Sequence, residues 1–471
     1  MIERVFEIFR EFSKIPHGSG NTKQISDYLV NFAKERNLEH YQDELNNVII
    51  IKEAGNGFEA APPVIIQGHM DMVCAKDPDC TKDMEKEGID IETDGVYMYA
   101  NGTTLGGDDG IAVAYALAIL ADKSIPHPPL EVIITVDEEI GMLGADAIDL
   151  SMLKGRMLLN IDSEEEGVFT VSCAGGATAT LTLPGDRRPV YGPCIKLTVD
   201  GLAGGHSGVE IHKNRANANK IMGEFLGRVQ QLMPVCITSI SGGAKDNAIP
   251  RSCQVTLVAL GMNPERINDI AADLQAEVRA NYDEPDAVIC GDNVEALGGN
   301  ALSTEQSAKV IALLNAVPNG VQVMSSDIPG LVQTSLNLGI LSMKEDLTFT
   351  FSVRSSVNSE KEELLAKLKE LVEFYDGTYT QMGDYPAWEY KADSLLRDTM
   401  VAVYEKMFAK KPEVLAIHAG LECGLLGEKL PGLDAVSIGP QMYDIHTSRE
   451  RLEIASVERM WNYILELLKA L

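Results

Sequence analysis

At 471 residues and 45% hydrophobic content, the chain is long enough for two domains with substantial cores. Forty basic against 70 acidic side chains leave a formal charge of −30; no basic stretch is dense enough to track a phosphate backbone, so nucleic acid and anionic membrane are poor partners. Eight scattered cysteines without a C-x-x-C pair, no signal-peptide core in residues 1–10 and no apolar run near a membrane span predict a cytoplasmic protein with reduced thiols.

Residues 3–13 and 22–35 read as helices, separated by the turn Pro16-His17-Gly18-Ser19-Gly20. Residues 48–51 and 64–67 are short buried strands; Gly68 breaks the second and delivers His69-Met70-Asp71 beyond its end. The loop 101–110 is glycine-rich, and residues 111–121 are apolar on nearly every side, as a helix inside a large core would be. Residues 131–136 form a third buried strand ending in Asp137-Glu138-Glu139, and residues 157–161 a fourth ending in Asp162. Apolar strands alternating with helices predict an α/β domain: a mixed, mostly parallel sheet with helices on both faces.

The texture changes near residues 185–189. Beyond them, amphipathic strands at 196–200, 254–258, 331–343 and 347–354 alternate with helices at 214–232, 264–281 and 360–374. These predict an inserted α+β domain, residues 187–387, of two related halves. The first texture returns with a helix to 408, a strand at 435–438, the loop 439–449 and a helix at 455–468, so residues 1–186 and 388–471 read as one domain into which the other is inserted.

His69, Asp108, Glu139, Asp162 and His446 all fall at strand or loop ends, where open α/β sheets place ligands. Each has an ordinary reading by itself: a loop histidine, a helix cap or a turn acid. Together they suit two borderline divalent ions such as zinc, with cobalt or manganese able to use the same ligands. One ion would take His69 and Asp162, the other Glu139 and His446, and Asp108 would bridge. Three carboxylates and a hydroxide then balance two dications. Glu138, next to a ligand, can hold and deprotonate the attacking water. Asp71 can accept the outward N–H of His69 and fix its tautomer.

These motifs resemble the dinuclear zinc metallopeptidases that include aminoacylases, carboxypeptidase G and bacterial dipeptidases. Gly204-Gly205-His206-Ser207-Gly208, Asn247-Ala248-Ile249-Pro250-Arg251 and Ile417-His418-Ala419-Gly420-Leu421-Glu422-Cys423-Gly424 are similar to the carnosinase-type aminoacyl-histidine (Xaa-His) dipeptidases in particular. The resemblance runs the length of the chain. It implies the ligand set above, Glu138 as general base, and a cis peptide between Asp108 and Asp109. It also implies that the inserted domain is a lid, with His206 stabilising the oxyanion and Asn247 and Arg354 holding the peptide; His418 and Glu422 are assigned to the same substrate pocket. The implied reaction is hydrolysis of small peptides, preferentially Xaa-His dipeptides, by a carboxylate-activated water bridging two zinc ions. A homodimer is compatible with this reading. The alternatives are a deacylase, an aminopeptidase acting on longer peptides, and a silent peptide-binding protein. Where many relatives carry lysine two residues after the bridging aspartate, this chain has Gly110.

Overall fold

The apolar runs flanking the insertion assemble into one sheet. The computed structural model describes residues 2–55, 57–261, 264–296 and 298–471. Across the sheet the strands follow the order Glu39–Gln42, Val48–Lys52, Leu130–Thr135, Val64–His69, Met157–Asn160, Asp434–Ser437, Val168–Cys173 and Glu413–Ile417. The four in the middle run parallel, with Val64 opposite both Leu130 and Met157, and Asp434 opposite Met157. Their flanking neighbours Val48–Lys52 and Val168–Cys173 run antiparallel. Parallel strands need long crossovers, and helical crossovers cover the sheet faces. This is why every residue of Val64–His69 and Leu130–Thr135 is buried. Four C-terminal strand ends therefore reach one edge: His69, the Asp137-Glu138-Glu139 turn, Asp162 and the loop leading to His446.

Helix Gly107–Ala121 is buried except at Asp108 and Ala121, in one core with helices Ile2–Phe12 and Ile454–Leu468. The close fit explains Gly110: a Cβ there would lie 2.9 Å from a ring carbon of Phe9 and 3.3 Å from Phe12. Any side chain at this position would have to push the first helix away.

The chain divides into two compact units. The first comprises Met1–Cys173, Tyr390–Ala416 and Leu421–Leu471, and the second Ala174–Glu389 with Ile417–Gly420. The crossing at residue 173/174 precedes the expected 186/187 because Gly175–Leu183 is a strand of the second unit's sheet, paired with Leu347–Ser355 and Thr378–Tyr385. That antiparallel sheet is continuous, and among the described residues its halves join through two residue pairs, Ser241↔Ser342 and Gly242↔Leu341. Helices Ala218–Leu232, Pro264–Asn281, Thr304–Ala316 and Asn358–Phe374 accompany it. The molecule is thus the expected α/β fold with an inserted α+β unit.

Candidate metal centre and active site

Two of the proposed ligands, His69 and His446, meet around the side chain of a third, Asp108. Asp108, joined to Asp109 by a cis peptide, places Oδ1 3.2 Å from His69 Nε2 and Oδ2 3.0 Å from His446 Nε2. Asp162 Oδ1 is 3.6 Å from the same nitrogen of His69. Glu139 Oε1 comes within 2.9 Å of His446 Nε2 but accepts no hydrogen bond. The first unit therefore brings together all five expected ligands, with Asp108 facing both histidines. Asp109 joins them unforeseen: it is fully buried, Oδ2 accepts the His69 backbone N–H at 3.2 Å, and Oδ1 has no partner.

Asp71 acts more broadly than expected. His69 Nδ1 meets the backbone carbonyl of Asp71 at 3.0 Å, while the carboxylate stands off at 3.5 Å. That carboxylate instead accepts from Ser19 Oγ at 2.8 Å and from the Glu138 and Glu139 amides at 3.1 and 3.4 Å. One residue thus fixes the His69 ring through its carbonyl and the Glu138-Glu139 turn through its side chain.

The electrostatics show a site short of positive charge. Burial opposes a charge on His69, yet Asp108, Asp162 and Asp71 outweigh it and raise its pKa well above the ordinary value. The Asp108 and Glu139 carboxylates lift His446 to about 10. Burial raises Glu138, His69 pulls it back, and Asp162, Glu422 and Glu139 leave it at about 9. Asp162, raised first by burial, stands at about 6. Protons are held where cations would serve. The grouped donors Asp108, Glu139 and His446, the grouped His69, Asp109 and Asp162, and the buried oxygens of Asp109 and Glu139 that accept no hydrogen bond form an imidazole–carboxylate set. Such a set suits borderline divalent ions. The residues fit metal ions.

Glu422, expected in the substrate pocket, lies among the central strands. It is fully buried, and Oε2 accepts from Gln67 Nε2 at 2.5 Å and Thr135 Oγ1 at 2.7 Å. Gln67 Oε1 in turn accepts from Asn160 Nδ2 at 2.6 Å. Glu422 is tied into a polar network between the central strands, beneath the ligands, and no surface of it is open to a substrate. Glu450 was not singled out in the sequence, although it follows His446 by four residues. Its carboxylate accepts the backbone N–H groups of Leu105, Gly106, Gly107 and Asp108 at 2.8, 3.0, 2.8 and 3.3 Å. It holds the loop that presents Asp108.

In the second unit, His206 pairs with Ala248 in a two-residue ladder, and the Ser207 amide donates to the carbonyl of Asn247 at 2.9 Å. His206 and Asn247 are thus neighbours. His206 Nδ1 accepts from the amides of Gly208 and Val209 at 3.1 and 3.3 Å, which places the ring proton on Nε2. Burial, then the charge of Arg354, lowers the His206 pKa and favours this neutral donor form. Arg354 donates to the Tyr385 hydroxyl at 3.2 Å, and its buried Nε has no partner. His418 Nε2 meets Ser335 Oγ at 2.7 Å; burial, then Arg354 and His212, press its pKa down to about 3.

Parallel strands delivering histidines and carboxylates to one edge, around positions that fit metal ions, are the architecture of a metal-dependent hydrolase. The family model for peptidase family M20/M25/M40 matches residues 65–470, and the chain belongs to that family of peptide hydrolases. It is 37% identical over 471 residues to the cytosol non-specific dipeptidase of Escherichia coli (strain K12), across 99% of this chain and 97% of the relative. The crystal structure of aminoacylhistidine dipeptidase from Vibrio alginolyticus matches at a TM-score of 0.93 and 36% identity, covering 99% of this chain and 96% of the other. Aminopeptidase PepT from Bacillus cereus shares the fold at a TM-score of 0.56 and 17% identity, over 100% and 98% of the two chains.

Proposed function

We propose that this chain hydrolyses dipeptides, with histidine favoured as the second residue, and that it does so with two divalent ions, zinc first among them. Cobalt and manganese suit the same donors. The observation that carries the reading is the Asp108 carboxylate, whose two oxygens face two different histidines at 3.2 and 3.0 Å. His69 and Asp162 would hold one ion, Glu139 and His446 the other, and Asp108 both. Bound ions supply Lewis-acid polarisation of the scissile carbonyl and a more acidic water.

The remaining work falls to the chain. Glu138 takes a proton from the attacking water and returns it to the leaving amine, as a carboxylate placed beside a ligand can. Asp71 fixes the Glu138 backbone for that transfer. His206, a neutral N–H donor at Nε2, stabilises the developing oxyanion. Asn247 and Arg354 hold the peptide; the Arg354 guanidinium suits a terminal carboxylate because it can donate two parallel hydrogen bonds. His418 supports the same recognition. The name of the E. coli relative places that enzyme in the cytosol, and a cytoplasmic location is proposed here too.

The test is hydrolysis of β-Ala-His, Gly-His, Ala-Ala and an N-acetyl amino acid by wild type, Glu138→Ala and chelated protein, with metal content measured. Cleavage of the histidine dipeptides, lost in Glu138→Ala at full metal content, is expected. Equal cleavage of Ala-Ala would favour the second reading, a non-specific dipeptidase, which the name of the E. coli relative supports. Cleavage of the acetyl amino acid alone would refute the dipeptide assignment.

A further inference from the structure

The turn at residues 16–21 belongs to no step described above, yet hydrogen bonds tie it to Asp71, Met72 and Asp137 beside the site. His17 is buried with Nδ1 bonded to the Ile15 carbonyl at 2.6 Å, and its own carbonyl accepts the Met72 amide at 3.2 Å. Ser19 donates to Asp71 at 2.8 Å, the Gly20 amide to Asp137 at 2.6 Å, and Asn21 Nδ2 to the Glu85 carbonyl at 2.9 Å. So many anchors on a short turn, of which only Gly20 is exposed, fix a wall rather than merely connect two helices.

That wall encloses a cavity of about 760 Å³ within the first unit. Facing it are Met72, Cys74, Met84 and Ile140, and Glu139 closes one side. Gly18 keeps the space: a Cβ there would come 2.5 Å from Cys74 Sγ. Lys86, also on the lining, is paired with Asp83 at 2.7 Å, so its charge has a partner. Ser19, Asn21 and Glu85 supply a polar side of the lining, and Met72, Cys74, Met84 and Ile140 the apolar one, which suits uncharged, flexible or branched groups. It begins at a residue placed among the metal ligands.

We infer that this cavity is the subsite for the side chain on the amino side of the scissile bond, and that it favours apolar, unbranched or γ-branched chains such as those of leucine and methionine. The assignment rests on the dipeptidase reading. Met72 and Met84, with rotatable and polarisable side chains, adapt to occupants of different length, which suits breadth at this position rather than a single permitted residue. Ile140 stands at the rim, 55% exposed, where a larger side chain can narrow the cavity without disturbing a packed core.

The experiment compares kcat/KM for Leu-Ala and Gly-Ala in wild type and Ile140→Trp. The ratio is expected to fall at least tenfold in the variant, through KM for Leu-Ala. Independently of turnover, L-leucine should slow maleimide labelling of Cys74 at least threefold relative to glycine, read by peptide mass mapping with Cys74→Ala as the control. An unchanged substrate ratio in an active enzyme, together with equal labelling in leucine and glycine, would overturn the subsite and leave the dipeptidase reading standing. Inactivity of the wild type on every dipeptide would overturn that reading, and the assignment with it.

Discussion

Glu450 offers the sharpest test of how the site is built. It is 3% exposed and receives four consecutive backbone N–H groups, from Leu105 to Asp108, with two on each oxygen. Successive amides turned toward one anion form a nest, and here the anion belongs to the protein itself. Hydrogen bonds to a charged acceptor are worth about 1.5–3 kcal/mol each, and a buried donor left unpaired costs about 1–3 kcal/mol. Glu450→Ala orphans four donors, and water entering the gap recovers part of the loss. A local cost of about 3–5 kcal/mol is expected. Glu450→Gln keeps one oxygen for two of the amides but turns an NH₂ toward the others, so about half that cost should remain.

A two-unit chain need not unfold in one step, so the measurement should be local. Hydrogen exchange of a peptide spanning residues 101–110 reports opening of this loop directly. At about 1.4 kcal/mol per decade, 3–5 kcal/mol corresponds to roughly 10²- to 10⁴-fold faster exchange in Glu450→Ala. Metal affinity should fall with it, since Asp108 ends the loop. Unchanged exchange with full metal retention would refute the reasoning, because it would mean the loop holds its shape without the carboxylate.

Other consequences are equally direct. Lys220 donates to the carbonyls of Leu314, Val317 and Asn315 at 2.6, 2.6 and 3.3 Å, and burial presses its pKa down to about 8. The unfolded chain, titrating near 10.5, binds more protons between these values, so the Lys220 contribution to stability should rise as pH increases from about 8 to about 10.5, by up to about 3 kcal/mol. A wild-type-minus-Lys220→Met stability difference that stays flat across this window would show that the three carbonyls keep the amine charged. Glu422→Gln should lower thermal stability and metal affinity while leaving KM within about twofold; a selective rise in KM would restore Glu422 to the substrate. Removing metal should lower Tm, and returning zinc at about 100 times its Kd should restore about 2.7 kcal/mol; an unchanged Tm would contradict a ligand cluster that needs cations.

The parts legible in the sequence are those governed by local rules. Buried parallel strands announce themselves as short apolar runs, and their C-terminal ends are where polar residues can be presented. His69, Glu139 and Asp162 followed from that logic. The strand Gly175–Leu183 did not, although its burial alternates in its second half, because alanine and threonine make a faint contrast beside valine and isoleucine elsewhere. Partners chosen by topology were invisible. The Gln67–Glu422 hydrogen bond joins residues 355 apart in sequence, and nothing local to either residue specifies the other. Glu450 was near a recognised histidine, but its task is to bind a loop more than 340 residues earlier.

The stretch His418-Ala419-Gly420-Leu421-Glu422-Cys423-Gly424 shows why a specific motif is a poor guide to a shared role. Its first three residues belong to the second unit and the rest to the first. His418 sits with Ser335 and Arg354, neutral and partly unpartnered. Glu422, four residues later, accepts from Gln67 and Thr135 below the proposed metal ligands. The motif is continuous because the chain crosses between units there, and each half answers to its own surroundings. Sequence adjacency led both residues to be assigned to the substrate pocket. Their partners separate them: the Glu422 carboxylate accepts from Gln67 and Thr135 on the strands that carry the proposed ligands, whereas the His418 ring meets Ser335 in the second unit.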